Sequence, residues 1–148
     1  MFSKTCEYAL RAVIFLARQS EDGKRLSIKE IAKGIGSPEH FIAKILQGLS
    51  KKGFISSTKG PNGGFFLDEN QKIQPIKDII IEIDGNKIFS NCILGLSECT
   101  ENHPCPMHHE FKPVREIIKN LLDRYTLNHF IEDKKLNTTF LTDKINYN

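Results

Sequence analysis

Apolar residues recur at helical spacing from the start of the chain. Leu10, Val13, Ile14 and Ala17 share one face, which predicts a helix from about Ser3 to Gln19. Asp22-Gly23 marks the turn after it. Ser27-Ile28-Lys29-Glu30 has the form of a capping box: Ser27 accepts from the backbone N–H of Glu30 and Glu30 reaches back, opening a short helix that carries Ile28, Ile31 and Ala32. Gly34 and Gly36 break it. Ser37-Pro38 then starts a further helix, with Ser37 at the N-cap and Pro38 at the first helical position, running to Lys52 and stopping at Gly53. Its apolar face is Phe41, Ile42, Ile45, Leu46 and Leu49; its other face shows His40, Ala43, Lys44, Gln47 and Lys51. The period changes after Gly53. Phe54 to Thr58 reads as a strand, Lys59-Gly60-Pro61-Asn62-Gly63-Gly64 as a turn-rich loop, and Phe65-Phe66-Leu67 as the returning strand.

Two short helices joined by a glycine turn, the second with a polar and basic outer face, describe a helix-turn-helix, and a hairpin directly after the second helix is a wing. The candidate DNA contacts are Ser37, His40, Lys44, Gln47 and Lys51 from the recognition helix, with Lys59, Gly60, Asn62 and Gly63 from the wing, whose glycines let backbone approach DNA closely. Downstream, Ile76, Ile79, Ile80 and Ile83 mark a helix from Pro75 to Asp84, ended by Gly85. Periodicity fades from Asn86 to about His109 and resumes near Pro113, where Val114, Ile117, Ile118, Leu121, Leu122 and Tyr125 form a stripe over three turns. A helix outside the winged-helix core must bury such a stripe, and the simplest partner is its copy in a second chain; the other solution is packing back on its own domain. Past Asp133 the chain is polar and Asn-rich, a frayed tail. The expected layout is a winged helix-turn-helix over 1–85, a cysteine-containing loop over 86–110, a dimerisation helix over 111–132 and a polar tail over 133–148. The fold class is mainly α with a small β-hairpin.

Composition sharpens this picture in two places. Of the 148 residues 39% are hydrophobic, enough for a real core. No apolar run approaches the roughly 20 residues of a membrane helix, and the first residues lack a secretion signal, so a cytoplasmic chain is expected and no membrane partner. The net charge of +3 is unevenly spread: residues 1–64 hold 11 Lys/Arg against 5 Asp/Glu, and residues 65–148 hold 10 against 13. A basic half joined to an acidic one fits a first half that meets a polyanion.

The other place is the cysteines. Cys6 sits beside core positions of the first helix and reads as a small buried hydrophobe. Cys92, Cys99 and Cys105 lie in the loop, in the pattern Cys92-x6-Cys99-x5-Cys105-x2-His108-His109. In a reducing cytosol such a cluster is metal-binding or redox-active rather than a disulfide framework. Structural zinc sites usually include a tight cysteine pair, and none occurs here; longer spacings let a loop wrap a larger object such as an iron–sulfur cluster. Pro104 and Pro106 stiffen the backbone around Cys105. No nucleophile–base set can be placed on rigid elements and no phosphate loop opens a helix, so an enzyme is not expected. A thiol redox switch or a zinc site in the same regulator stays open, as does a different class, a cytosolic iron–sulfur or metal carrier. The carrier reading leaves the Lys-rich recognition face without a purpose.

Taken together, Glu7-Tyr8-Ala9-Leu10-Arg11, Ser27 to Ala32, Phe41 to Leu46, the run Gly53 to Leu67 and the three cysteines resemble the IscR/NsrR/CymR family of winged-helix regulators, over about Ser3 to Leu127. The resemblance implies a homodimer crossed by long carboxy-terminal helices that binds operator double-stranded DNA as a repressor. It also implies an iron–sulfur cluster, [2Fe-2S] or [4Fe-4S], held by Cys92, Cys99 and Cys105 with a fourth, non-cysteine ligand. Family precedent offers two positions for that ligand: His108, three residues after the third cysteine, and Glu7, near the start of the first helix and contributed by the partner subunit. Glu7 is the expected one, because it lies on an ordered helix whereas His108 has an equally solvated neighbour in His109. Two departures stand out: six residues rather than five separate Cys92 from Cys99, and Ala43 occupies a position where some relatives carry a base-reading Glu.

Overall fold

The computed structural model describes residues 1–20, 23–135 and 138–143; Asp22 of the expected first turn lies outside them, as do 136, 137 and 144–148 of the expected tail. Among the described residues, eight helices and one hairpin follow in the order α1 (Lys4–Gln19), α2 (Ile28–Ile35), α3 (Glu39–Lys51), β1 (Ser56–Thr58), β2 (Gly64–Phe66), α4 (Glu69–Lys72), α5 (Ile76–Asp84), α6 (Lys87–Ser90), α7 (His108–Arg124) and α8 (Leu127–Lys134). The chain is mainly α with a two-stranded antiparallel hairpin, and among the described residues no helix is long and apolar enough to cross a membrane.

The main core joins Ala9, Val13 and Leu16 of α1, Ile31 and Ile35 of α2, and Ile42, Leu46 and Leu49 of α3, with Ile55, Phe65 and Leu67 from the hairpin region. The capping box at α2 forms as its sequence dictates: the Glu30 N–H donates to Ser27 Oγ at 3.1 Å and the Ser27 N–H to Glu30 Oε2 at 2.8 Å. Leu26 pairs with Phe65 through two backbone hydrogen bonds of 2.8 and 2.9 Å, adding a one-residue third rung to the wing.

Four expectations are corrected. Ser37 does not cap α3; Pro38 is the N-cap residue and no side-chain cap bond forms. The Ser37 N–H instead donates to the Ala32 carbonyl at 2.9 Å, closing the left-handed turn at Gly36, and its hydroxyl ends up buried without a partner. The helix expected from Pro113 begins at His108 and carries Pro113 within it. It also ends at Arg124 rather than near 132, because the Tyr125 carbonyl is taken by the Ile76 N–H at 2.9 Å, and α8 starts anew and packs on α1. Residues 138–143 are not frayed: the Arg11 Nε donates to the Leu141 carbonyl at 2.8 Å, and Arg18 pairs with Asp133 at 2.8 Å and donates to the Thr139 carbonyl at 3.2 Å.

A second, smaller core of Cys6, Ile80 and Phe89 joins α1, α5 and α6, with Leu122 of α7 packed on it. Leu122 therefore faces its own chain, a correction to its expected place on a dimer face. The rest of the stripe does face outward: Val114 is 46% exposed, Ile117 67%, Leu121 43% and Tyr125 37%, with Ile118 half-buried beside them.

Candidate nucleic-acid interface and thiol site

Helix α3 is gripped from one side by Ile42, Ile45, Leu46 and Leu49, all buried, and by an edge-to-face contact of Phe41 on Tyr8 at 5.2 Å. That fixes which face looks out. His40, Lys44, Gln47 and Lys51 are all exposed and fall at spacings of four, three and four, a single ridge along the helix. Ala43, expected on that face, is half-buried. Ser37 is set apart from the ridge by its buried hydroxyl.

The wing is tied rigidly to this helix. Ser50 and Ser57 share a hydroxyl contact of 2.9 Å, and the buried Gln71 side chain donates to the Gly53 carbonyl at 3.1 Å and to Ser56 Oγ at 3.0 Å. Lys59, Gly60 and Asn62 are exposed at the tip. The glycines after them serve the hairpin itself. A Cβ on Gly63 would collide with the carbonyls of Thr58 and Lys59, and one on Gly64, whose φ is 146°, would stand 2.7 Å from the Leu26 oxygen. Arg25 lies over the Phe66 ring at 5.1 Å and extends the basic surface of the wing. Sequence reasoning missed both Gln71 and Arg25, neither of which belongs to a periodic pattern.

The thiol site lies where the loop after α6 meets the start of α7. All four cysteines are free; Cys92 and Cys105 are buried and Cys99 is partly so. The backbone dipoles of Leu96, then Leu94 and Gly95, with the neighbouring Cys105 side chain, favour the Cys92 thiolate and hold this thiol below its ordinary value despite burial. Cys105 is pushed up, first by desolvation and then by the neighbouring Cys92. Loop and helix meet at Cys99. The His108 Nδ1 stands 3.3 Å from its sulfur, and Arg115 Nη1 donates to the same sulfur at 3.3 Å and to the Asn91 carbonyl at 2.9 Å.

His108 and Arg115 are 4% and 7% exposed, and each keeps a buried nitrogen without a hydrogen-bond partner, His108 Nε2 and Arg115 Nε. Glu101 Oε1 lies 3.3 Å from that Nε2 but out of line for a hydrogen bond; together with His109 these groups place three ligand atoms within 4.8 Å of one another. Lys112 pairs with Glu101 and, ahead of His108, pulls its carboxyl down to about 2. Glu7, the other expected ligand, is exposed on α1 and paired with Lys4 at 3.0 Å. The structure thus sets His108 beside the Cys99 sulfur, with its backbone N–H on the Cys105 carbonyl and Cys92 near Cys105; the compact group of possible ligands among the described residues is Glu101, His108 and His109, which does not include Glu7. Arg115 and Glu101 were not anticipated.

The donor set suits an iron–sulfur cluster. Three thiols in one loop and a buried imidazole offer soft ligands, and the Arg115 guanidinium already donates to the Cys99 sulfur, the kind of hydrogen bond that anionic sulfur requires.

Comparison with known proteins agrees with this architecture. Residues 2–133 match the family model Rrf2, described as an iron-dependent transcriptional regulator. The chain is 35% identical over 141 residues to a protein of Aquifex aeolicus (strain VF5) named among HTH-type transcriptional regulators, covering 92% of this chain and 96% of that one. It is 32% identical over 129 residues to the HTH-type transcriptional regulator NsrR of Geobacillus kaustophilus (strain HTA426), covering 86% and 87%. Among solved structures, CymR, the global cysteine regulator of B. subtilis, superposes with a TM-score of 0.72 at 23% identity over 90% of this chain and 97% of that one, and T. potens IscR with 0.72 at 22% over 94% and 91%. These two establish the fold.

Proposed function

The chain belongs to the Rrf2 family of DNA-binding transcriptional regulators, and from that premise we propose that it is a homodimeric repressor whose hold on operator double-stranded DNA is set by an iron–sulfur cluster on Cys92, Cys99, Cys105 and His108. The observation that carries this reading is the meeting of loop and helix at Cys99, whose sulfur has His108 Nδ1 and Arg115 Nη1 both at 3.3 Å. His108 is the fourth ligand this arrangement favours, being buried and already beside a cysteine. Glu7 is the alternative and would have to be supplied across the dimer.

When bound, such a cluster supplies an anionic centre with one weaker, non-thiolate corner open to exchange. The chain's own residues do the rest. Holding the three thiols and His108 at one point fixes the loop on α7. The outer face of α7 carries Val114, Ile117 and Leu121 for the dimer contact, and its inner face packs on α5, which packs in turn on α1 of the winged helix. The spacing of the two recognition helices across the dimer thereby depends on the loop, an equilibrium between two arrangements biased by ligand. On DNA, the ridge of His40, Lys44, Gln47 and Lys51 enters the major groove, while Lys59, Gly60, Asn62 and Gly63 bring the wing to the backbone or minor groove.

One contact favours a second reading. The Cys92 and Cys105 thiols are close enough to act on each other electrostatically, so a peroxide-class oxidant taking two electrons and two protons from the pair would leave a disulfide, a thiol switch on the same regulator. Iron and acid-labile sulfide counts with a visible spectrum of anaerobically purified protein separate the two. The cluster reading expects both elements, their loss in Cys99→Ser, and an altered but retained spectrum in His108→Ala. Protein without iron or sulfide, in which mild oxidation joins Cys92 to Cys105, would establish the switch instead; zinc alone would point to a zinc site.

A further inference from the structure

Arg115 is 7% exposed, and among the described residues no carboxylate pairs with it. A guanidinium stays charged at any accessible pH, and taking it out of water is costly unless negative charge goes with it. Its Nη1 has two partners, the Asn91 carbonyl at 2.9 Å and the Cys99 sulfur at 3.3 Å. The sulfur is the one of these that can carry a full negative charge. The positions matter as well. Asn91 directly precedes Cys92, so a single guanidinium reaches both ends of the segment between the first two cysteines. Arg115 also follows His108 by seven residues, two turns along the same face of α7, so the helix grips Cys99 from two levels. Directly beside Arg115 the outward side of α7 presents Val114 and Ile117.

We infer that Arg115 is a positioning residue with two separable roles: it is the counter-charge of the anionic sulfur site, and it is the tie through which the state of the Cys92–Cys99 loop reaches the helix that forms the dimer. This rests on the reading above and names the residue through which that regulation passes. The roles divide by side-chain chemistry. Lysine keeps the positive charge but lacks the planar fork that serves a carbonyl and a sulfur together. Methionine keeps much of the buried volume and loses the charge.

The test compares wild type, Arg115→Lys and Arg115→Met as full chains, with circular dichroism to establish that each is folded. In the cluster-free proteins, hydrogen exchange of amides 92–99 should quicken about tenfold in both variants, as expected when an opening segment loses a tie to its helix. In the anaerobic, cluster-loaded proteins, the reduction potential should fall in Arg115→Met, because removing a nearby positive charge favours the more oxidised, less negative centre, and should stay near wild type in Arg115→Lys. The ratio of DNA affinities between loaded and cluster-free protein should fall to within about twofold of unity in both variants. Wild-type exchange, potential and affinity ratio in Arg115→Met would overturn the inference, leaving Arg115 a space-filling residue. Wild-type protein without iron or sulfide would refute the cluster reading itself, while the exchange measurement would still decide the tie: unchanged exchange refutes it, faster exchange upholds it.

Discussion

Truncating Ile117 to alanine tests the dimer face with the least damage to the monomer. Ile117 is 67% exposed in the single chain, more than any other member of the stripe on α7, so the fold itself draws little on it. Fully burying an aliphatic side chain of this size is worth about 1.5–3 kcal/mol, and the two-thirds still in water would contribute about 1–2 kcal/mol per protomer on dimerisation. In an isologous contact the same residue counts on both sides, so the loss is about 2–4 kcal/mol per dimer, or roughly 30- to 700-fold in the dimer Kd. Sedimentation velocity over a concentration series reads this directly, and a thermal melt at high concentration checks that the chain is otherwise sound. An unchanged Kd with an unchanged melt would refute a dimer seam on this face. The contrast is Leu122→Ala, five residues further along α7 on its inner side. Leu122 packs against Cys6, Ile80 and Phe89, so its truncation should lower the stability of each chain by about 2–4 kcal/mol, with any effect on association following from that.

Other outcomes follow from the site and the wing. Lys59→Gln at the exposed wing tip should weaken binding to all duplexes and make the slope of log K against log salt shallower by about 1, read by fluorescence anisotropy at several salt concentrations. Gly63→Ala should disrupt the wing itself, since its Cβ meets the Thr58 and Lys59 carbonyls; a lower melting temperature in the absence of DNA is the expected sign. Burial, reinforced by Asp84, pushes the Cys6 thiol up to about 12. Native protein at pH 8 should therefore leave Cys6 unalkylated by iodoacetamide, and the stability linked to this thiol should be present below its unfolded value near 9 and be lost as pH rises towards 12. Alkaline melts of wild type against Cys6→Ala, which should lack that fall, would check the sign.

The winged half of the fold was legible because its signals are local. The Ser27–Glu30 box, the alternation around the hairpin and the apolar ridge of α3 each fix an element through neighbours a few residues apart, and the ridge of His40, Lys44, Gln47 and Lys51 follows from that same period. What local rules misassigned was decided by distant partners. Ser37 looked like a cap, but its N–H closes the preceding helix. The apolar pattern runs from Leu122 through Leu127 to Ile131 as if one helix continued, and only the pairing of Tyr125 with Ile76, far away in sequence, turns the chain back onto α1. At the thiol site the spacing marked the three cysteines as candidates, while His108 entered only through the family resemblance and beside Glu7. Arg115 could not, because a lone arginine in an amphipathic helix normally faces water, and what buries it is a loop whose path no periodicity describes. Its one sequence mark is the seven-residue interval from His108.

The central claim is that cluster occupancy sets DNA affinity. It is tested most directly by taking one anaerobic preparation, dividing it, removing iron and sulfide from one half with a chelator, and titrating both halves into the same duplex, selected by the protein from a random pool, at a fixed salt concentration. The account predicts Kd values that differ by about 5- to 150-fold, the range of ordinary coupling free energies, with the difference abolished in Cys99→Ser. Equal affinities for the two wild-type halves would contradict it.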